Sequence, residues 1–316
     1  MFKAFFGSKE YKIWAWSVLT LLLGLTVAQV YLNYQFNNWY GEFYNILEQK
    51  DAAGFGPSIF KFSWMAGISI LLSTASFYVS QHFSFRWREA LTKNYLPRWA
   101  AITTEYYEGS SQRIQEDTMR FARILESLGL GTFKAVLTLI AFIPMLWGFS
   151  AVVKIPYFDV PGSLVWIALV TSIGGMIISW FVGYRLPRLE YNNQKVEAAF
   201  RKELVYGEDN KAQINVANLL ELFTGVRTNY FALFNAYKWF TVWQTFYFQA
   251  AIILPFLVGA PSFFAGVITL GVLVQISNAF DKVHGSFSYF LDNWLSVNEL
   301  RSINRRLNEF ESVLPE

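Results

Sequence analysis

Five stretches of this 316-residue chain contain no Asp, Glu, Lys or Arg: residues 13–41, 62–85, 135–153, 160–184 and 239–280. A hydrocarbon core of about 30 Å takes about 20 helical residues at about 1.5 Å each. The last stretch is 42 residues long and is interrupted by Pro255 and by Gly259-Ala260-Pro261. It therefore reads as two spans joined by a tight turn. The expectation is an all-α integral membrane protein with spans at about 13–36, 60–85, 130–153, 161–184, 239–258 and 262–280.

Composition agrees. Hydrophobic residues make up 54% and charged residues 16%, against about 25% charged in ordinary soluble domains. So apolar a chain is not disordered. Without Cys it is not a disulfide scaffold. A net charge of +3 spread over this length is no nucleic-acid footprint.

Lys and Arg set the orientation. The connections near 42–58 and 151–161 carry one each, Lys50 and Lys154, and the fifth connection carries none. The connections at 86–127 and 185–238 carry seven and eight, the leader carries three, and the region after 281 carries four. Low and high counts alternate, so both termini and both long connections are expected in the cytoplasm. The basic leader resembles a signal peptide, but the uncharged run behind it is too long and shows no clear cleavage site. It is expected to be an uncleaved first span.

The long cytoplasmic connections are not linkers, for neither is rich in Pro or Gly. Leu189, Val196, Phe200 and Leu204 recur at helical spacing, and the run around them is rich in strong helix formers. The fourth span is thus expected to continue to about Glu208, break at Gly207-Glu208-Asp209-Asn210, and restart at a capping box, Asn218-x-x-Glu221. The other hairpin repeats the plan. A helix runs through 86–107, with Pro97 as a possible kink; Gly109-Ser110-Ser111 breaks it, and it restarts near Gln112. Cytoplasmic hairpins are expected at about 86–129 and 185–238, within one transmembrane domain covering 1–316. Paired helices protruding on one side are the plan of an ABC-exporter membrane domain. No Gly-Lys dipeptide occurs, so no Walker A lysine is present, and the roughly 35 residues after span six are too few for a nucleotide-binding domain.

Three cytoplasmic segments carry a resemblance. They are Phe85-Arg86-Trp87-Arg88-Glu89-Ala90-Leu91, Gln112-Arg113-Ile114-Gln115-Glu116-Asp117-Thr118-Met119-Arg120-Phe121, and Val196-Glu197-Ala198-Ala199-Phe200-Arg201-Lys202-Glu203-Leu204-Val205-Tyr206-Gly207-Glu208-Asp209. With Asn38-Trp39-Tyr40, 140–144 and 266–271 they resemble the SbmA/BacA family of bacterial inner-membrane peptide transporters, from about residue 11 to the end. The first segment is shared with ABC relatives; the other two are long and specific. The resemblance implies an ABC-exporter-like, domain-swapped homodimer without an ATPase. It implies proton-driven uptake of peptides and peptide-like antibiotics, such as Pro-rich antimicrobial peptides, microcins and bleomycin-like compounds. No cofactor, nucleotide or nucleic acid is implied. Larger members begin with an extra membrane segment, and this chain is expected to start at the six-helix core.

Proton coupling needs titratable groups along the path. Glu190, Glu197 and Glu208 are spaced 7 and 11 residues apart, so they stay within about 20° of one helix face, over about 27 Å. Glu116 and Glu126 stand about 15 Å apart along the next candidate helix and about 80° around it. Lining a cavity, these carboxylates would be pushed toward neutral pKa values by desolvation and mutual repulsion. The resemblance matches a glutamate ladder at Glu116, Glu126, Glu197 and Glu208. The plainer alternative is a wet helix face with the pairs Glu116–Arg120 and Glu197–Arg201. Trp39, Tyr40, Phe43 and Tyr44 form either an interfacial belt or a stacking surface for peptides. Phe142 matches the family and could equally be packing. Gln275 and Asn278 share a face and either bridge helices or contact peptide backbone. His82 and His284 are too far apart for a metal site, and no nucleophile–base constellation suggests an enzyme. Secondary transport is weighed against an ABC membrane half served by a separate ATPase, and against a scaffold or receptor.

Overall fold

A computed structural model describes residues 1–102, 110–153, 160–211 and 214–315. Every regular element among them is helical: α1 Phe2–Phe6, α2 Lys12–Glu48, α3 Ala52–Ala100, α4 Ser110–Gln112, a π-turn Arg113–Asp117, α5 Thr118–Ser150, α6 Ser163–Gly183, α7 Leu186–Asp209, α8 Val216–Phe264, α9 Leu270–Asp292 and α10 Trp294–Val313. Five helical stretches are long and apolar enough to cross a membrane, and α9 falls outside that set. Large apolar side chains such as Trp64, Leu71, Phe77, Trp180 and Phe246 are exposed along them. That is how a lipid-facing surface looks.

Contacts divide the chain where one domain is expected. One compact unit is Met1–Leu169 with Pro255–Glu316; the other is Val170–Leu254. The second gathers most of α6, α7 and α8, which pack on one another through Trp243 Nε1 donating to Ser179 Oγ (2.9 Å) and Tyr247 donating to the Thr171 carbonyl (3.1 Å).

The first unit is held below its spans. Phe5, Phe83, Trp87, Tyr95, Phe121, Ile303, Leu307 and Phe310 form one buried core joining α1, α3, α5 and α10. Phe5 stacks on Trp87 at 5.3 Å, and Phe121 meets Trp87 edge-on at 5.9 Å. Each such side chain contributes about 1.5–3 kcal/mol through burial.

Most helix limits follow the sequence, with instructive exceptions. The helical path of the fourth span continues to Asp209, as expected, but breaks at Tyr184-Arg185. Pro187 explains the break: it has no N–H to give a preceding turn and sits in the first turn of α7. The α8 cap is Asn215, not Asn218. Asn215 Oδ1 accepts from the Ala217 and Asn218 amides at 3.0 and 3.2 Å, while the Asn218 side chain donates to Glu203. In the first hairpin α3 ends at Ala100 and a helix restarts at Ser110; the expected break at Gly109 lies outside the described residues, as does Lys154.

The largest correction concerns the last two spans. The chain does not turn at Gly259-Ala260-Pro261; α8 continues through it to Phe264. It stops where Gly266 adopts φ +71°. The Val267 amide then donates to the Ser262 carbonyl and the Gly266 amide to the Phe263 carbonyl, both at 2.9 Å. This pair of bonds with a left-handed glycine is the Schellman stop. α9, the helix expected as the sixth span, therefore starts at Leu270, not at 262.

Candidate functional site

The crossing of α2 and α9 positions the site. Asn45 and Glu48, near the end of α2, accept from the Gly271 and Leu270 amides at 3.0 Å each, capping α9 from outside its own chain segment. Gly41 and Gly271 let the two backbones touch: a Cβ on Gly271 would overlap the Gly41 carbonyl and the Asn45 side chain. Gln275 lies over Gly41, and its carbonyl accepts from Asn37 Nδ2 at 3.4 Å. That bond is made by the Gln275 backbone, and the Gln275 side chain packs on Gly41.

One turn further along α9, four helices enclose a cavity of about 470 Å³. α2 contributes Asn33, Phe36, Asn37 and Tyr40; α3 contributes Phe62, Ala66, Ser69 and Ile70; α5 contributes Phe142; α9 contributes Asn278, Asp281 and Lys282. Among the expected substrate residues, Tyr40, Phe142 and Asn278 thus come together. Phe142 is buried, with Tyr34 edge-on at 6.1 Å. Trp39 does not line the cavity. Its indole is buried, donates to the Ser58 carbonyl at 2.9 Å and stacks on Phe43 at 4.7 Å. It packs with Leu32 and Met65, so of the two readings weighed for this cluster the Trp39 ring does not supply an accessible stacking surface. Burial by α3 is what the local pattern of α2 could not reveal.

Two polar groups at the cavity stand out. Asn37 is buried, and its Oδ1 has no hydrogen-bond partner among the described residues; the same holds for Asn278 Nδ2. An unpartnered buried amide costs about 1–3 kcal/mol.

The carboxylates divide between the units. Glu126 of α5 is buried and accepts from Ser80 Oγ of α3 at 2.5 Å. It lies four residues before the expected start of span three, outside the bilayer-spanning run. Burial pushes its carboxyl above the ordinary value, against the opposing pull of the Ser80 hydroxyl and the Arg123 charge. Ser80 was not foreseen, being one hydroxyl in an apolar run. Glu116 is differently placed. It pairs with Arg120 at 2.8 Å, which also holds Glu299 at 2.8 Å, so the plain surface-pair reading describes it. Glu190, Glu197 and Glu208 all lie on α7, in the other unit, with Glu208 exposed. No ion pair joins Glu197 to Arg201 among the described residues.

The raised Glu126 pKa makes native stability depend on pH. The folded state binds its proton more tightly than the unfolded chain, so stability falls as pH rises from the ordinary carboxylate value through the raised one. Glu126→Gln is expected to flatten that fall, measured as melting temperature against pH in detergent between about pH 4 and 8.

Comparison with known proteins fits this architecture. The chain is 28% identical over 318 residues to the inner membrane ABC transporter ATP-binding protein YddA of Escherichia coli K12, covering 94% of this chain and 56% of that one. It is 29% identical over 315 residues to the chloroplastic ABC transporter D family member 2 of Arabidopsis thaliana, covering 94% and 42%. An uncharacterised ABC transporter ATP-binding protein of Synechocystis is 26% identical, covering 95% and 46%. The chain thus spans about half the length of the curated relatives it matches. The SbmA/BacA-like family model matches residues 8–315, and this chain of apolar spanning helices belongs to that family of membrane transporters.

Proposed function

We propose that the protein imports peptides and peptide-like compounds across the bacterial inner membrane, driven by the proton gradient. It works as a domain-swapped homodimer with both termini in the cytoplasm. The observation that carries the reading is Glu126. A buried carboxyl whose pKa is raised by burial, held by a neighbouring helix, holds its proton to higher pH than an ordinary carboxylate and suits a group that is loaded and unloaded as its surroundings change. It belongs to the same helical bundle as a cavity lined by amides and aromatic rings, a surface suited to backbone and ring recognition. Protonation removes the cost of a buried charge and so favours the conformation in which Glu126 is enclosed; loss of the proton favours the one in which it is wet. Glu116 and Glu126 in one unit and Glu197 and Glu208 on α7 in the other are the proton-coupling carboxylates of this reading. A domain swap would exchange elements of the unit 170–254.

In membrane vesicles, uptake of a labelled Pro-rich peptide is expected to collapse with a protonophore and to persist without ATP. Glu126→Gln is expected to lower uptake by about tenfold or more, the scale of a lost proton-transfer group, with membrane abundance unchanged. Uptake that tracks ATP and ignores the protonophore would overturn the proposal in favour of a separate ATPase partner.

A further inference from the structure

A second cavity, of about 340 Å³, opens between α3 and α5. α3 supplies His82, Ser84, Phe85 and Arg88 to its wall, and α5 supplies Met119 and Arg123. Both helices belong to stretches long and apolar enough to cross a membrane. The cavity lies where the uncharged run 62–85 of α3 gives way to Arg86 and Arg88. That is the level at which a span meets lipid headgroups.

The wall holds two guanidiniums and, among the described residues, no carboxylate. Arg88 is half-buried, and its Nη2 donates to the Gln115 carbonyl at 3.3 Å, which fixes the guanidinium in place. Arg123 is exposed. Neither arginine has an ion pair among the described residues. The acids nearby are already engaged. Glu89 pairs with Lys93 at 3.0 Å and Glu116 with Arg120 at 2.8 Å. Glu126, one turn from Arg123, feels its charge but is buried and bonded to Ser80. Arg86 does not line the cavity; its guanidinium stacks on Trp14 at 4.7 Å.

An apolar track leads away from this basic hollow. Along α3, Leu71, Tyr78 and Phe85 recur every seven residues, and all three are exposed. Each step of seven shifts the direction by about 20°, so they stay within about 40° of one another over about 21 Å. One leaflet of hydrocarbon is about 15 Å deep. Phe85 belongs both to the track and to the cavity wall, and His82 meets Tyr78 edge-on at 4.5 Å. Cationic hollow and apolar track are therefore continuous, and the track is as long as an acyl chain needs.

We propose that this cavity binds the phosphate of an anionic phospholipid between Arg88 and Arg123, with one acyl chain lying along Phe85, Tyr78 and Leu71. Guanidiniums present forked donors that match phosphate oxygens. Basic residues flanking a span ordinarily meet headgroups singly; here two, from different helices, open into one hollow. Two positive charges with no acid in the wall favour a headgroup of net negative charge over a zwitterionic one. A soluble phosphate would meet the same guanidiniums but would leave the apolar track bare. The site is separate from the amide-lined cavity and does not depend on what the protein transports.

The test uses the full chain purified in detergent. Phosphatidylglycerol, phosphatidylcholine and glycerol 3-phosphate, which has the phosphate without the chains, are titrated separately. Binding is read as lipid retained in native mass spectrometry and as the ligand-dependent rise in melting temperature. Wild type is expected to bind phosphatidylglycerol about tenfold or more tightly than phosphatidylcholine, the scale of a charge-assisted hydrogen bond. Glycerol 3-phosphate is expected to do neither at the same concentrations. Arg88→Gln and Arg123→Gln are each expected to weaken phosphatidylglycerol about tenfold and to leave phosphatidylcholine unchanged. Arg305→Gln, on the exposed face of α10, is expected to match wild type. If Arg88→Gln does not survive extraction, Arg123→Gln alone decides, since that side chain holds no ion pair among the described residues. Equal binding of the two lipids by wild type overturns the proposal, as does wild-type affinity for phosphatidylglycerol in Arg123→Gln. Glycerol 3-phosphate binding as tightly as phosphatidylglycerol would make this a site for soluble anions, which also overturns it.

Discussion

Asp117→Ala is expected to destabilise the protein by about 3 kcal/mol, the lower end of the range for breaking a buried ion pair. Asp117 is 1% exposed. Its carboxylate accepts from Arg306 Nη2 at 2.7 Å and Nε at 3.0 Å, and from Arg113 Nη1 at 2.7 Å. Removing it strands two guanidiniums, of which Arg113 keeps 17% of its exposure and Arg306 34%. Burial alone would raise the Asp117 pKa, but Arg306 and Arg113 together outweigh it and hold the carboxyl below the usual range. The sign follows: this stability is fully present above the unfolded pKa and is lost as pH falls through the lower folded value. Thermal unfolding in detergent at pH 7 should show a drop of about 6 °C or more, which narrows below pH 4. Adding Arg306→Met should recover part of it, because the stranded charge goes too. A drop of less than a degree would show that Asp117 is not the clamp between α5 and α10.

Gly271→Val is expected to be the most damaging single change at the crossing of α2 and α9. Even the Cβ of an alanine would overlap the Gly41 carbonyl and the Asn45 side chain. The first is backbone, so α2 and α9 must separate. Overpacking of this kind costs about 1–3 kcal/mol, and more where nothing can move aside. Separation also releases the Asn45 and Glu48 caps of the Gly271 and Leu270 amides. Little folded protein should survive detergent extraction, read by size-exclusion chromatography, with Gly271→Ala between the two. Gly24→Ala, in the same α2, meets nothing within 4 Å and should behave as wild type. If Gly271→Val eluted as wild type does, the close crossing would be wrong.

Much of the architecture was legible from the chain alone. Each uncharged run became helix, because a membrane leaves no other way to satisfy backbone groups. The end of α7 at Asp209 was legible because Gly207 and Asn210 bracket it. The turn before α9 was not. Two glycines, Gly259 and Gly266, follow apolar residues, and only the backbone bonds from Val267 and Gly266 decide which one stops the helix. The cavity was half legible. Tyr40, Phe142 and Asn278 came from resemblance and facing, but Asn33, Asn37 and Phe62 join them only through the packing of α2 on α3. Trp39 misled for the same reason, since a Trp near an interface reads alike whether its ring faces water or a neighbouring helix.

The wide turn at Arg113–Asp117 acts like a fixed joint between two lengths of shaft. A π-turn holds one residue more than an α-helical repeat, and one residue is worth about 100° of rotation. Everything before it is therefore offset in azimuth from everything after, and the offset aims Asp117 inward at Arg306 while Glu116 points to Arg120. A homologue shorter by one residue there would straighten the shaft and turn one of those two acids away. Twist applied at Ser110–Gln112 would reach α5 with that same angular lag.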